Sequence, residues 1–287
     1  MNRRRSARSS LIPAAVAVAA TLSTACSGLK PFRVSSKSEP PTSPASLANG
    51  SRTPPMIPFA LAREDDYVVR IVAGKVTCSG TLISEDQVLT AHHCVSERNS
   101  FGEFVEHDVA ASSVRVELGG DDLPWGEVGV KAIVAPPCGH AAGIGDIAVL
   151  VLERKLIGVA TVTPRLDDGP RTGEAIEPVG FGRCALSADA IRRRQRVGGT
   201  VADILDSRFR LTASICPGDS GGPAMSSNGS EVVGVISRAA MDGSEHTLGR
   251  AEFTRLDRWR SVFATAKLIA EGASPAEVPP AGGCPAP

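Results

Sequence analysis

From Tyr67 to Leu256 the chain is written in short apolar runs cut by turn residues, and this rhythm narrows the fold more than any other feature. The runs are YVVRIVAG, GTLISEDQVLTA, SSVRVELGG, VGVKAIVA and DIAVLVL, followed by AIEPVGFG, GGTVADIL, RFRLTAS, EVVGVIS and GRAEFTRL. Each is strand-length and rich in valine and isoleucine, with glycine, aspartate and proline between them. The long intervening helices of a βαβ chain are missing, so the pattern predicts an all-β sandwich or barrel arrangement. One helix is expected near the end, in LDRWRSVFATAKLIAEG. Trp259, Val262, Phe263 and Leu268 would form its apolar face, with Asp257 as cap and Gly272 as stop.

The N-terminus reads as a targeting segment rather than as part of the fold. MNRRRSARSS is basic, and the apolar stretch LIPAAVAVAATL has 12 residues, too few to span a bilayer, so residues 1–25 are expected to be a secretory signal. It ends in LSTACSG, where small residues before Cys26 resemble a bacterial lipoprotein processing site, although Ser23 stands where a leucine is usual. Ordinary cleavage near Ala25 is the rival reading. The chain has 7 cysteines, and setting Cys26 aside as a lipidation site leaves an even number able to pair in an oxidising compartment. Lipidated Cys26 would tether an exported, cell-envelope protein to the membrane; otherwise the chain is secreted. The Pro- and Ser-rich residues 26–46 read as spacer or propeptide. Lys and Arg number 31, as do Asp and Glu, so nothing in the net charge points to nucleic acid as a partner. RRRQR, at Arg192 to Arg196, reads as a solvated loop.

CPGDSGGP, Cys216 to Pro223, is the strongest local signal. A serine flanked by glycines can sit on a tight turn whose successive N–H groups converge on one point, where an oxyanion could be held. Serine is a weak nucleophile at its free pKa, so it requires a histidine base, and the base requires a third group to fix its tautomer. TAHHC, Thr90 to Cys94, offers two histidines, and GDIAVL, Gly145 to Leu150, offers a carboxylate at the start of a strand.

These three motifs, in this order, resemble the trypsin/chymotrypsin family of serine endopeptidases over roughly residues 47 to 265. The resemblance implies two packed six-stranded antiparallel β-barrels with a C-terminal helix. The N-terminal barrel would cover mainly 47–165, the C-terminal barrel 166–255, the helix 256–271 and an irregular tail 272–287. It also implies hydrolysis of protein or peptide substrates through an acyl-enzyme, by a monomer without cofactor or metal. The family histidine directly precedes the cysteine of TAAHC, which makes His93 the base and His92 a packing or hydrogen-bonding neighbour. Asp146 would orient His93, Ser220 would attack, and the N–H groups of Gly218 and Ser220 would form the oxyanion hole.

Further assignments follow from the same resemblance. Asp219 would pair with a new amino terminus released by proteolysis, for which LANG, starting at Leu47, is the variant of the family's IVGG. Cys78 and Cys94 would clip the histidine loop. The family pairs the cysteine before the oxyanion glycine with one downstream of the serine, but here no cysteine lies between Ser220 and Cys284. Cys216 is therefore assigned to Cys184, which follows GFG, leaving Cys138 with Cys284; 6 cysteines allow about 15 pairings. The floor of the specificity pocket falls on Ser214, with walls at Ser237, Arg238 and Ala239 in place of SWG, and with Ala251 at the back. An uncharged floor favours cleavage after apolar residues.

Overall fold

Side-chain alternation sets which way each strand faces. The computed structural model describes residues 63–119, 123–183, 193–239 and 250–284. Its first strands are β1 (Val68–Ala73), β2 (Val76–Ser84), β3 (Gln87–Thr90), β4 (Ser96–Arg98), β5 (Phe104–Asp108), β6 (Val114–Leu118), β7 (Gly126–Val134) and β8 (Ala148–Leu152). In β6, Val114, Val116 and Leu118 are buried while Arg115 and Glu117 face the other way, the period-2 pattern of a half-buried strand. Six of these strands close an antiparallel barrel in the order β1-β2-β3-β8-β7-β6, and β4 and β5 pair separately.

The second series comprises β9 (Thr163–Pro164), β10 (Ala175–Gly180), β11 (Arg194–Gln195), β12 (Gly199–Ile204), β13 (Arg208–Thr212), β14 (Pro223–Ser226), β15 (Glu231–Ala239) and β16 (Arg250–Arg255). Here β10-β12-β13-β16-β15-β14 is closed by pairing of β14 with β10. β11 adds to β10, and β9 runs parallel to β15. The chain is thus two closed six-stranded barrels, as the resemblance implies and within the all-β class that the run pattern predicts. The sequence rhythm gives no sign of β14: Pro-Ala-Met-Ser lacks a β-branched alternation, and pairing on both sides makes it a strand.

The helix α1 (Arg260–Ala270) packs back on β7 and β8 of the first barrel, which explains why every residue of β8 is buried. Trp259 precedes the helix, and with Val262, Phe263, Ala266 and Ile269 it joins the first-barrel core. Leu268 does not belong to this face. Nine residues beyond Trp259, at about 100° per residue, it lies on the opposite side and is 46% exposed. Asp257 is not the cap either, since its carboxylate receives Arg255 at 2.7 and 3.0 Å. Gly272, at φ 114°, takes the left-handed conformation that ends the helix. The tail beyond it is held by a disulfide between Cys138 and Cys284.

Of the RRRQR segment, Arg192 lies outside the described residues and Arg194 and Gln195 are exposed on β11, but Arg193 and Arg196 are not solvated as expected. The Arg193 side chain is 5% exposed and reaches Asp65 at 2.7 Å and Asp66 at 2.9 Å. Arg196 is buried as well, and its partner lies in the motif around Ser220. Among the described residues no helix is long and apolar enough to cross a membrane. The expected signal, Cys26 and Leu47 all lie outside the described residues.

Candidate active site

His93 sits in a short 3-10 turn, His92–Val95, that follows β3. A disulfide from Cys94 to Cys78 on β2 ties this turn to the barrel. Asp146 lies in the turn before β8, and its carboxylate is turned on His93. The ring Nδ1–H of His93 donates to Oδ2 at 2.9 Å and lies 3.1 Å from Oδ1, while the backbone N–H of His93 donates to Oδ1 at 3.0 Å. A carboxylate accepts only, so Nδ1 carries a proton, and in the neutral imidazole the lone pair is then on Nε2. The Ser237 hydroxyl donates to Oδ2 of Asp146, and the Thr254 hydroxyl donates to the Asp146 carbonyl at 2.9 Å. Burial by itself raises the Asp146 pKa. The charge of His93, its ring hydrogen bond, the Ser237 hydroxyl and the His93 amide outweigh it and hold the carboxyl at about 2.

His92 faces away from this pair. Its Nε2 is 2.7 Å from Asp108 Oδ1, and its ring meets His140 edge-on with centroids 5.2 Å apart. Burial, above all, lowers the His140 pKa. Phe104 packs edge-on against His93 at 5.1 Å, and the Arg98 guanidinium lies 4.1 Å above the Phe104 ring.

Ser220 lies in the loop before β14, and the first barrel grips that loop. The Ser79 N–H donates to the Ser220 carbonyl at 2.8 Å, and the Ser79 hydroxyl donates to the Gly218 carbonyl at 2.8 Å. One sulfur, Cys94 Sγ, lies 3.8 Å from His93 Nε2 and 3.5 Å from the Ser220 carbonyl oxygen, so the histidine turn and the serine loop meet at the same disulfide. No hydrogen bond joins the Ser220 hydroxyl to His93 among the described residues; such contacts commonly tighten only when substrate binds. The N–H groups of Gly218 and Ser220 donate to no acceptor among the described residues. Gly218 has φ +99°, open to glycine and strained for other residues, and this turns the loop. Cys216 is disulfide-bonded, and Cys184 lies outside the described residues. Cys78, His93 and Cys94 come within metal-ligand reach of one another, but both sulfurs are committed to their disulfide.

The Trypsin family matches residues 60–259 of this chain. The chain belongs to the trypsin family. This trypsin-family protein is a serine endopeptidase, and its substrates are proteins or peptides. It is 27% identical over 207 residues to the cercarial protease of Schistosoma mansoni, covering 61% of this chain and 75% of that protein. With serine protease SP24D of Anopheles gambiae it shares 31% identity over 178 residues, 56% of this chain and 61% of the other. Among solved structures, a Glu endopeptidase superposes with a TM-score of 0.57 at 17% identity over 76% of this chain and 96% of its own. Mouse neuropsin gives 0.53 at 19% identity over 71% and 94%. At such identities the likeness is one of fold.

Within this trypsin-family protein, the residues read as a specificity pocket divide. The Ser237 hydroxyl is turned to Asp146. Arg238 and Ala239 continue along β15, where Ala239 pairs with Ala251 of β16, while the Ser214 N–H donates to the Val197 carbonyl at 3.0 Å. A cavity of about 400 Å³ is lined by Arg210, Arg238, Ala239, Arg250 and Glu252. Glu252 receives Arg208 at 2.7 Å, Arg210 at 2.6 Å and Arg238 at 2.7 Å. Burial raises the Glu252 pKa, but the bonds from Arg238 and Arg210 and the charges of Arg238 and Arg208 bring it below the usual value. Nothing in the sequence marks Ser79, Thr254, Phe104 or Arg196 as site residues, because their partners lie far along the chain.

Proposed function

We propose that the chain hydrolyses peptide bonds through an acyl-enzyme on Ser220. The Ser220 Oγ attacks the substrate carbonyl carbon while its proton passes to His93 Nε2. The tetrahedral oxyanion is held by the N–H groups of Gly218 and Ser220. Collapse breaks the C–N bond, and His93 gives the proton to the leaving amine. Water then repeats the sequence on the acyl-enzyme and releases the acid. Asp146 keeps His93 in the tautomer this requires and stabilises the imidazolium. The observation that supports this reading is the His93 Nδ1 to Asp146 contact, which in the neutral imidazole reserves Nε2 for a proton from elsewhere.

A serine-directed phosphonate should form a covalent adduct that peptide mapping locates at Ser220, and Ser220→Ala should form none. An adduct on any other residue would refute the assignment.

We further propose an exported chain with Cys216 joined to Cys184, and a preference for apolar residues at the carbonyl side of the cleaved bond. Ser214 puts no charge on the pocket floor, and the nearby acid Glu252 is already met by three arginines. A lysine or arginine side chain entering there would lose hydration without gaining a carboxylate partner. In a peptide-library digest, cleavage after Leu, Met, Phe or Tyr should exceed cleavage after Arg or Lys by at least about tenfold. Dominant cleavage after Arg or Lys would overturn the pocket reading and leave the peptidase assignment standing.

A further inference from the structure

Asp219 stands beside the nucleophile and is fully buried. A buried carboxylate is tolerated only when a counter-charge and hydrogen-bond donors meet it. Here the counter-charge comes from within the chain. Arg196 Nη2 donates to Oδ1 at 2.8 Å, and Arg196 Nε lies 2.7 Å from Oδ2. The Gly182 N–H donates to Oδ1 at 2.7 Å and the Cys216 N–H donates to Oδ2 at 2.8 Å. Three hydrogen bonds and the Arg196 ion pair thus meet the carboxylate, two contacts on each oxygen. Packing closes the remaining space: a Cβ on Gly182 would lie 2.6 Å from Asp219 Cγ. Arg196 is itself anchored, its Nη2 donating to the Gly182 carbonyl and its backbone N–H to the Pro178 carbonyl at 2.7 Å.

The family resemblance gives Asp219 a different partner, an amino terminus newly exposed at Leu47. An ammonium could enter this cage only by displacing Arg196. We propose that Arg196 is the positioning residue that holds Asp219, and through it the Gly218–Ser220 backbone, in working geometry, so that the loop is competent without a new amino terminus. This rests on the role given to Ser220 and its neighbours under Proposed function. A guanidinium is well matched to such a role, since it is charged at every working pH and presents a fork that fits both oxygens of one carboxylate.

The test measures the rate of phosphonate labelling at Ser220 on the chain that keeps the residues ahead of Leu47, as verified by mass, and on the same chain trimmed to begin at Leu47. The two rates should agree within about twofold, and the intact chain should hold its rate from pH 8 to 10. An α-amine partner would instead lose its charge over that range, starting from a pKa of about 8. Arg196→Gln should slow labelling on the order of 10²–10³-fold, the loss expected when oxyanion donors are misplaced. Arg196→Lys should recover part of the rate, then lose it as its ammonium deprotonates near pH 10. Labelling that requires trimming, or an alkaline fall in the intact wild-type chain, would overturn the proposal while leaving the peptidase reading intact; these readouts do not depend on the variants folding. Folded Arg196→Gln protein that labels at the wild-type rate would overturn it as well. If neither wild-type form labels, the role of Ser220 fails and the proposal falls with it.

Discussion

Replacing His93 by alanine should lower turnover by about 10⁴- to 10⁶-fold, whereas replacing His92 should cost no more than about tenfold in folded protein. Both imidazoles belong to one 3-10 turn and flank the same disulfide, so damage to the turn would affect the two variants alike. Their chemistry differs. His93 turns Nδ1 to the buried Asp146 carboxylate and has Nε2 3.8 Å from Cys94 Sγ, whereas His92 is bonded to Asp108 and packs on His140. The comparison needs kcat for both variants together with near-UV circular dichroism to show that each is folded. Equal losses in two folded variants would contradict the assignment of His93 as the base.

Asp146→Asn should lower kcat by about 10⁴-fold with little change in fold, because the amide N–H₂ would favour the tautomer with its proton on Nε2, where no base is then available. The same substitution should change the acid stability of the protein. The carboxyl titrates at about 2 in the folded chain, below its ordinary value of 3.8, so its ionised form is bound more tightly in the folded state. For a lowered carboxyl pKa, the contribution is complete above about pH 4 and is lost as pH falls toward 2. It is worth roughly 2 kcal/mol. Denaturant titrations between pH 5 and 2 should therefore show a steeper acid loss in wild type than in Asp146→Asn. Parallel curves would mean that this carboxylate is not held by His93 in the folded protein.

The all-β class was legible because strands announce themselves locally, whereas their closure into two barrels was implied only by the family resemblance. Alternation in β6 and valine-rich runs such as β8 carry their burial in adjacent residues. The helix was legible in position but not in every contact, since Leu268 and Ile269 are both apolar and only the turn of the helix separates their environments. The motifs around His93, Asp146 and Ser220 could be read for the same local reason: each is a short string with a distinctive composition. What supports them was hidden. Ser79, Ser237 and Thr254 reach the site across the two barrels, and a lone hydroxyl in a strand carries no mark of its partner. Arg196 was obscured by its own neighbourhood. Four arginines within five residues suggest a hydrated surface, and only the closed second barrel shows that this one turns inward to Asp219.

The central claim is a covalent intermediate on Ser220, and acid quenching during turnover of an activated peptide ester tests it most directly. Intact-mass measurement should find the chain heavier by one acyl group, and fragmentation should locate that group on the Ser220 hydroxyl; Ser220→Ala should gain none. Steady hydrolysis by wild type with no acylated chain under burst conditions, or with the acyl group on another residue, would contradict the account.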